Sequence, residues 1–297
     1  MKCLVTGGAG FIGSNLALEL EKQGHEVTVA DNLISGSKEN LDGFKGKFIQ
    51  MDISKPFELN ENFDIIFHEA AITDPRFKDD DETIRANVEG FKNIIALAKK
   101  NNAKLIYAST AGLYGNGKVP MKEDQKKEIL SAYGSSKLKM DEIASEYFDK
   151  IHIVGLRYFN VFGPREANKG KPASMVYHLS RQIKSGKNPR IFKFGEQKRD
   201  HIYVKDVVDA TIFAVNAKSG IYNIGTGIAT TFNELIKVLN EALKTNLNPE
   251  YFDMPYDPKT YQKNTQADTK NAEEFIGFKA KWSLKDAIKD YMGMLYE

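Results

Sequence analysis

Apolar residues in the first half of the chain come in short, nearly unbroken runs. "KCLVT" (2–6), "EVTVA" (26–30), "KFIQM" (47–51), "DIIFH" (64–68) and "KLIYA" (104–108) read as strands. Strands buried on both faces of a parallel sheet have this pattern, without polar alternation. Between the runs the period changes. Over 83–98, Ile84, Val88, Phe91, Ile95 and Ala98 recur at steps of three and four, which draws one apolar stripe along a helix. Over 132–148, Tyr133, Ser136, Lys137, Met140, Ala144 and Tyr147 share a face in the same way, and "IHIVGLR" (151–157) reads as a further strand. Strands alternating with helices predict an α/β fold built on a doubly wound parallel sheet. Right-handed crossovers then gather the ligand-binding loops at the carboxyl ends of the strands.

After about residue 160 the rhythm breaks. Turn-rich pieces surround helical patterns near 173–185, 205–217 and 231–243 and a short strand "HIYV". The expected division is a nucleotide-binding domain over 1–160 and a smaller C-terminal α/β substrate domain over 161–297. Residues 201–226 are open to joining the first domain, because "HIYVKDVVDATIFAV" is apolar enough to pack back on the sheet.

The 297 residues carry 42 basic and 40 acidic side chains, a formal net charge of +2. This balance gives no case for nucleic acid or an anionic membrane surface as partner. No window approaches the unbroken apolar length that a membrane helix needs. Glycines interrupt the apolar start "MKCLVTGGAGFIG", so no signal peptide is expected there. Cys3 is the single cysteine, which excludes an internal disulfide and makes the cytoplasm the expected compartment. Histidines at 25, 68, 152, 178 and 201 lack ligand spacing, and no metal is expected.

"VTGGAGFIGSNLALEL" sets glycines 7, 8, 10 and 13 between the first strand and the first helix. Gly8, Gly10 and Gly13 fit G-x-G-x-x-G, and Gly7, Gly10 and Gly13 fit the alternative spacing. Backbone without Cβ lets a pyrophosphate approach the unpaired N–H groups of a helix N-terminus. Asp31 ends the second strand, where a carboxylate can bind a ribose 2′-hydroxyl. These features complete a Rossmann reading and favour NAD, because Asp31 would repel a 2′-phosphate. NADP is the close alternative, since Asn32, Ser35, Ser37 and Lys38 together can hold a phosphate. Asp52, after the third strand, is either an acceptor for an adenine amino group or a turn aspartate.

"SAYGSSK" places Tyr133 and Lys137 four residues apart, one turn apart on one helix face. A phenol with a pKa near ~10 is a poor base at neutral pH. A nearby ammonium and the positive nicotinamide are expected to lower it, and Lys137 can also hold the nicotinamide ribose. Thr110, in "YASTAGLYG" behind a strand, can hydrogen-bond the reacting oxygen. Taken alone, such a tyrosine–lysine pair is usually a packed helix face. The glycine turn makes it a candidate acid–base pair.

With "TGGAGFIG", "DN", "HEAA", the asparagine of "RANVEG", "YASTAGLYG", "YGSSK" and "RYFNVFGPR", the chain resembles the extended short-chain dehydrogenase/reductase family along its whole length. The resemblance implies reversible hydride transfer at a sugar carbon with the cofactor retained. It adds Phe11, Ile12, Ile53 and Val161 to the cofactor site, runs the loop Glu69, Ala70, Ala71 and Ile72 beside the cofactor, and makes Asn87 a brace between helices near the nicotinamide. The partner it implies is a nucleotide-diphosphate sugar. Family members commonly dimerise through the helices matching 83–98 and 132–148, so a homo-oligomer is expected.

Within the family, "PREANKGKPASMVYHLSRQI" and "YQKNTQADTKNAEEFIGF" look most like the heptose-type nucleotide-sugar 6-epimerases. There a lysine after "GPRE" acts as a second acid–base, and Lys169 matches it. Lys169 is that base or another cation near a diphosphate. The same resemblance puts Asn160, Lys171, His178, Phe192, Arg199 and Tyr261 against the substrate's adenosine diphosphate. His178, among apolar helix positions, also reads as a packed core histidine. "FGEQKRDHIYVKDV" is shared with UDP-hexose 4-epimerases, the second reading, in which one tyrosine suffices. A third reading is a non-catalytic nucleotide-sensing or RNA-associated protein. It is disfavoured because a binding module has no need of Thr110, Tyr133 and Lys137 together.

Overall fold

The computed structural model describes residues 1–73, 79–255, 257 and 261–296. β1 (Lys2–Thr6), β2 (Glu26–Asp31), β3 (Lys47–Gln50), β4 (Ile65–His68), β5 (Lys104–Thr110) and β6 (Ile153–Tyr158) form one sheet. A seventh member comes from much later in the chain, Gly220–Ile224. The order is 220–224, β6, β5, β4, β1, β2, β3, and every adjacent pair is parallel. The chain starts in the middle of the sheet, runs to one edge, then returns to build the other. The reversal beside β1 opens a crevice at the strand ends, the usual ligand position in such sheets.

The helices form where their apolar stripes and caps allow. α1 (Phe11–Lys22) buries Leu16, Ala17 and Leu20 against one sheet face. On the other face, α2 (Asp80–Asn101) and α3 (Ala132–Ser145) bury Phe91, Ile94, Ile95, Met140 and Ala144. α2 starts at Asp79, whose side chain accepts from the Glu82 N–H at 2.8 Å, and acids fill its first turn. Both devices favour a helix N-terminus.

β7 (Asn160–Phe162) leaves the sheet and pairs with β10 (His201–Tyr203), while β8 (Arg190–Phe192) and β9 (Lys198–Arg199) pair with later strands. α4 (Met175–Lys184) and α5 (Val204–Phe213) follow β7 and β10, and β11 is the late sheet strand Gly220–Ile224. α5 packs on α1 and β11 extends the sheet, so part of 201–226 lies against the first half. β12 (Thr230–Thr231) pairs with β9, and β13 (Glu250–Phe252) pairs with β8. α6 (Phe232–Leu243) and α7 (Leu284–Tyr296) pack with α4 around a second core containing Val176, Leu179, Leu235, Leu239, Ile288 and Tyr291. β10 is the short strand expected at "HIYV"; the other two- and three-residue strands and α7 were not expected from the periodicity. Strands so short carry no period to read. Among the described residues no helix is long and apolar enough to cross a membrane.

Candidate active site

The glycine turn lies at the carboxyl end of β1. Gly7 has φ +70°, and a Cβ there would meet the Ala70 nitrogen at 2.5 Å. Position 7 therefore needs glycine for both conformation and close approach. A Cβ on Gly13 would collide with the Gly7 carbonyl, so a glycine there lets α1 seat tightly on the turn. Asp31 at the end of β2 accepts from the Ala9 N–H at 3.0 Å and the Leu33 N–H at 2.8 Å. Burial pushes its carboxyl up, and the two N–H groups hold it back. A carboxylate offers about four lone-pair positions, so ribose hydroxyls still find acceptors. A glycine cradle open to a phosphate and a carboxylate at the second strand end fit a dinucleotide.

The loop after Asp31 is spread out. Asn32 Oδ1 accepts from the Ile34 N–H, Ser35 is exposed, and Ser37 Oγ caps a short turn by accepting from the Glu39 N–H. The Lys38 ammonium lies 5.2 Å from the Phe48 ring centre. Asp52 Oδ1 accepts from both the N–H and the hydroxyl of Ser54, as a turn aspartate does. Ile53 packs against Gly90 of α2. Asn87 exchanges two hydrogen bonds with the Ile72 backbone, at 2.8 and 3.1 Å, and donates to Ser136 Oγ at 2.9 Å. One asparagine thus joins α2, the "HEAAI" loop and α3. Phe11 and Ile12 open α1, and Val161 of β7 packs against both cores.

Thr110, Tyr133 and Lys137 come together. Thr110 ends β5, and the Tyr133 phenol lies within hydrogen-bonding reach of its hydroxyl. Lys137 is fully buried; its Nζ donates to the Ala108 carbonyl at 2.7 Å and lies 5.8 Å from the Tyr133 ring centre. Burial pulls the Lys137 ammonium down to about 8, with Glu69 and Asp141 pulling the other way. The chain's own groups do not by themselves bring the expected fall of the Tyr133 phenol. Burial drives the phenol above its ordinary range, the Thr110 hydrogen bond opposes this, and Glu69 and Asp141 add to the rise.

Lys169 ends a short turn (Ala167–Lys169) within the loop 163–174. Its Nζ stands 5.5 Å from the Phe11 ring centre, at the start of α1. Burial lowers its pKa and the Glu166 carboxylate raises it again. The loop is fastened at both ends by Glu166, which accepts from the Gly163 N–H, the Ser174 N–H and the Ser174 hydroxyl. Arg165 and Asn168 donate to the backbone and side chain of Asn40, which ties the loop to the cofactor side. Glu166 was not singled out by sequence reasoning. Its signal is an acid between two prolines and a glycine, in a stretch otherwise rich in cations.

The expected substrate residues fall into two groups. Phe192, Arg199 and Tyr261 form an aromatic–cation stack: Phe192 and Tyr261 ring centres are 5.7 Å apart, and the Arg199 guanidinium is 5.1 Å from the Tyr261 ring centre. Asn160 Oδ1 accepts from Thr265 Oγ1 at 2.8 Å, and Thr265 Oγ1 accepts from the Asp200 N–H. Arg199 donates to the carbonyls of Lys198, Gln262 and Lys263. Much of its donor capacity therefore holds the backbone at Gln262 and Lys263. Lys171 and His178 form the other group. Lys171 is exposed, and its carbonyl lies 3.1 Å from His178 Nε2. His178 is half-buried, so the packed-core reading does not apply. Among the described residues no cluster of three metal-ligating side chains occurs.

The model of the NAD dependent epimerase/dehydratase family matches residues 3–225. The ADP-L-glycero-D-manno-heptose-6-epimerase of Brachyspira hyodysenteriae is 38% identical over 309 positions, covering 98% of this chain and 97% of the relative. The crystal structure of the Helicobacter pylori ADP-L-glycero-D-manno-heptose-6-epimerase superposes with a TM-score of 0.94 at 37% identity, covering 99% of this chain and 96% of that one. A UDP-glucose 4-epimerase from Thermotoga maritima, solved with UDP-glucose, gives a TM-score of 0.89 at 31% identity over all of both chains. Glycine cradle, Asp31, and the Thr110–Tyr133–Lys137 cluster are thus set in a fold these epimerases share, and the chain belongs to the NAD dependent epimerase/dehydratase family.

Proposed function

We propose that this protein is a nucleotide-sugar epimerase that inverts C6 of ADP-glycero-manno-heptose through a transient ketone. NAD is the proposed cofactor, favoured over NADP by the buried Asp31 carboxylate and by Lys38, which turns toward Phe48. The bound nicotinamide supplies a hydride acceptor and donor. Residues of the chain do the rest. Tyr133 takes the proton of the sugar hydroxyl, Thr110 orients that oxygen, and Lys137 holds positive charge behind the phenol. The late-sequence unit around α4, α6 and α7 is assigned to the sugar nucleotide. Phe192, Arg199 and Tyr261, which pack together, are assigned to its nucleotide, with Asn160, Lys171 and His178 as further contacts. Self-association is assigned to the outer faces of α2 and α3.

One observation carries the choice of a 6-epimerase: Lys169, a half-buried amine fixed at the start of α1 beside Phe11. Inversion returns hydride to the opposite face of the carbon, so a second proton donor on another side is useful. A 4-epimerase that swings its sugar needs one tyrosine only. The likeness to the Thermotoga maritima UDP-glucose 4-epimerase keeps that reading as the competitor. Lys169→Ala separates them. Under our reading it slows ADP-heptose epimerisation by about 10²-fold or more while the cofactor stays bound. Undiminished turnover would reject the second-base role.

A further inference from the structure

Glu69 follows β4 at the point where the sheet opens under the glycine turn. Its N–H donates to the Thr6 carbonyl at 3.0 Å, and a Cβ on Gly7 would meet its carbonyl carbon at 2.8 Å. The side chain reaches across the strand ends. Glu69 Oε1 accepts from the Tyr158 hydroxyl of β6 at 2.9 Å, and that hydroxyl lies 2.8 Å from Thr211 Oγ1 of α5. Glu69 acts electrostatically on both Tyr133 and Lys137 of α3. Register places these groups along one line: β4 pairs with β5 through His68 and Tyr107, and β5 with β6 through Thr110 and Tyr158.

Among the described residues Lys137 is the one cation acting on Glu69, and its Nζ is already committed to the Ala108 carbonyl. A carboxylate that is half-buried is costly to ionise without a close cation. The cofactor class of this family has one: the oxidised nicotinamide ring is positively charged, and the reduced ring is neutral. We propose that Glu69 is the counter-ion of the oxidised nicotinamide, favouring the oxidised over the reduced bound cofactor. The inference rests on the NAD-dependent reading of the site. Reduction adds a hydride, two electrons with one proton, and removes the ring's charge, so Glu69 loses its partner in that state. An epimerase must begin each turnover oxidised, and such a bias restores that state after each cycle. Unit charges within about 10 Å at an effective dielectric of about 20 shift an equilibrium roughly tenfold. The bias is pH-gated. Burial pushes the Glu69 carboxyl up to about 7, against the Tyr158 hydrogen bond and Lys137.

The test compares the wild-type holoenzyme with Glu69→Gln, which keeps an acceptor for the Tyr158 hydroxyl. The reduction potential of the bound cofactor is read from the near-ultraviolet absorbance of the reduced ring during reductive titration. At about pH 8.5, above the carboxyl's range, E69Q should raise the potential by about 30 mV, a tenfold gain for the reduced form. At about pH 5.5 the carboxyl is protonated and the difference should close. Glu69→Asp should keep most of the wild-type value. No difference at high pH, or an equal shift at both pH values, would each overturn the counter-ion role. A wild-type protein releasing no nicotinamide cofactor on denaturation would instead show that the reading of the site had failed, and the inference with it.

Discussion

The Lys137 ammonium lies 2.7 Å from the Ala108 carbonyl and 5.8 Å from the centre of the Tyr133 ring. A strand carbonyl two residues before Thr110 therefore fixes the charge behind the candidate base. Tyr133 and Lys137 come from one helix turn and Thr110 from the strand it covers, so the site depends on how α3 seats on β5.

Charge on Lys137 sets the first expectation. Burial lowers its pKa to about 8. The ammonium is present below that value and lost as pH rises through it, so kcat should fall on the alkaline side near pH 8. Lys137→Met removes the charge at every pH. It should lower kcat by about 10²-fold or more and abolish the alkaline limb, as a pH–rate profile will read.

Tyr133→Phe removes the proton acceptor but keeps the ring. A loss of about 10²–10⁴ in kcat is expected, with cofactor content unchanged by denaturation and mass analysis. Thr110→Val should cost about 1–3 kcal/mol of transition-state stabilisation, and Thr110→Ser should recover most of it. Equal losses in Val and Ser variants would contradict a role for the hydroxyl.

The buried pair of Asp141 and Arg157, 2.9 Å apart, ties α3 to β6. Asp141 also accepts from Tyr107 of β5, and Arg157 donates to Tyr114, beyond Thr110. Breaking such a pair costs about 3–5 kcal/mol. Asp141→Ala should lower stability by that order in denaturant titration. The activity of the folded fraction should fall too, because the helix carrying Tyr133 loses its anchor.

Glu166→Ala leaves the Gly163 and Ser174 donors without their acceptor. Each unsatisfied buried group costs about 1–3 kcal/mol. If the loop serves only to hold Lys169, the rate losses of Glu166→Ala and Lys169→Ala should not add in the double variant. Full additivity would separate the loop staple from the lysine.

The sheet was legible because β1, β2, β4 and β5 are mostly apolar on both faces, and α2 shows an apolar stripe from Val88 to Ala98. The Tyr133–Lys137 spacing was legible for the same local reason. What the sequence hid is non-local. Glu69 meets Tyr158 across 89 positions, and Arg199 meets the Lys263 carbonyl across 64. No period encodes such pairs. The sense of the Tyr133 shift was also hidden, since it depends on burial rather than on the distance to a neighbouring lysine in sequence. The substrate residues came from resemblance, and packing then divided them into the Arg199 stack and the Lys171–His178 pair.

The central claim concerns which carbon of which sugar is inverted. NMR of the purified protein with ADP-glycero-manno-heptose and, separately, with UDP-glucose and UDP-galactose reads this directly. We predict inversion at C6 of the ADP-heptose and no inversion at C4 of either UDP-hexose. Turnover of the UDP-hexoses with the ADP-heptose unchanged would contradict the assignment.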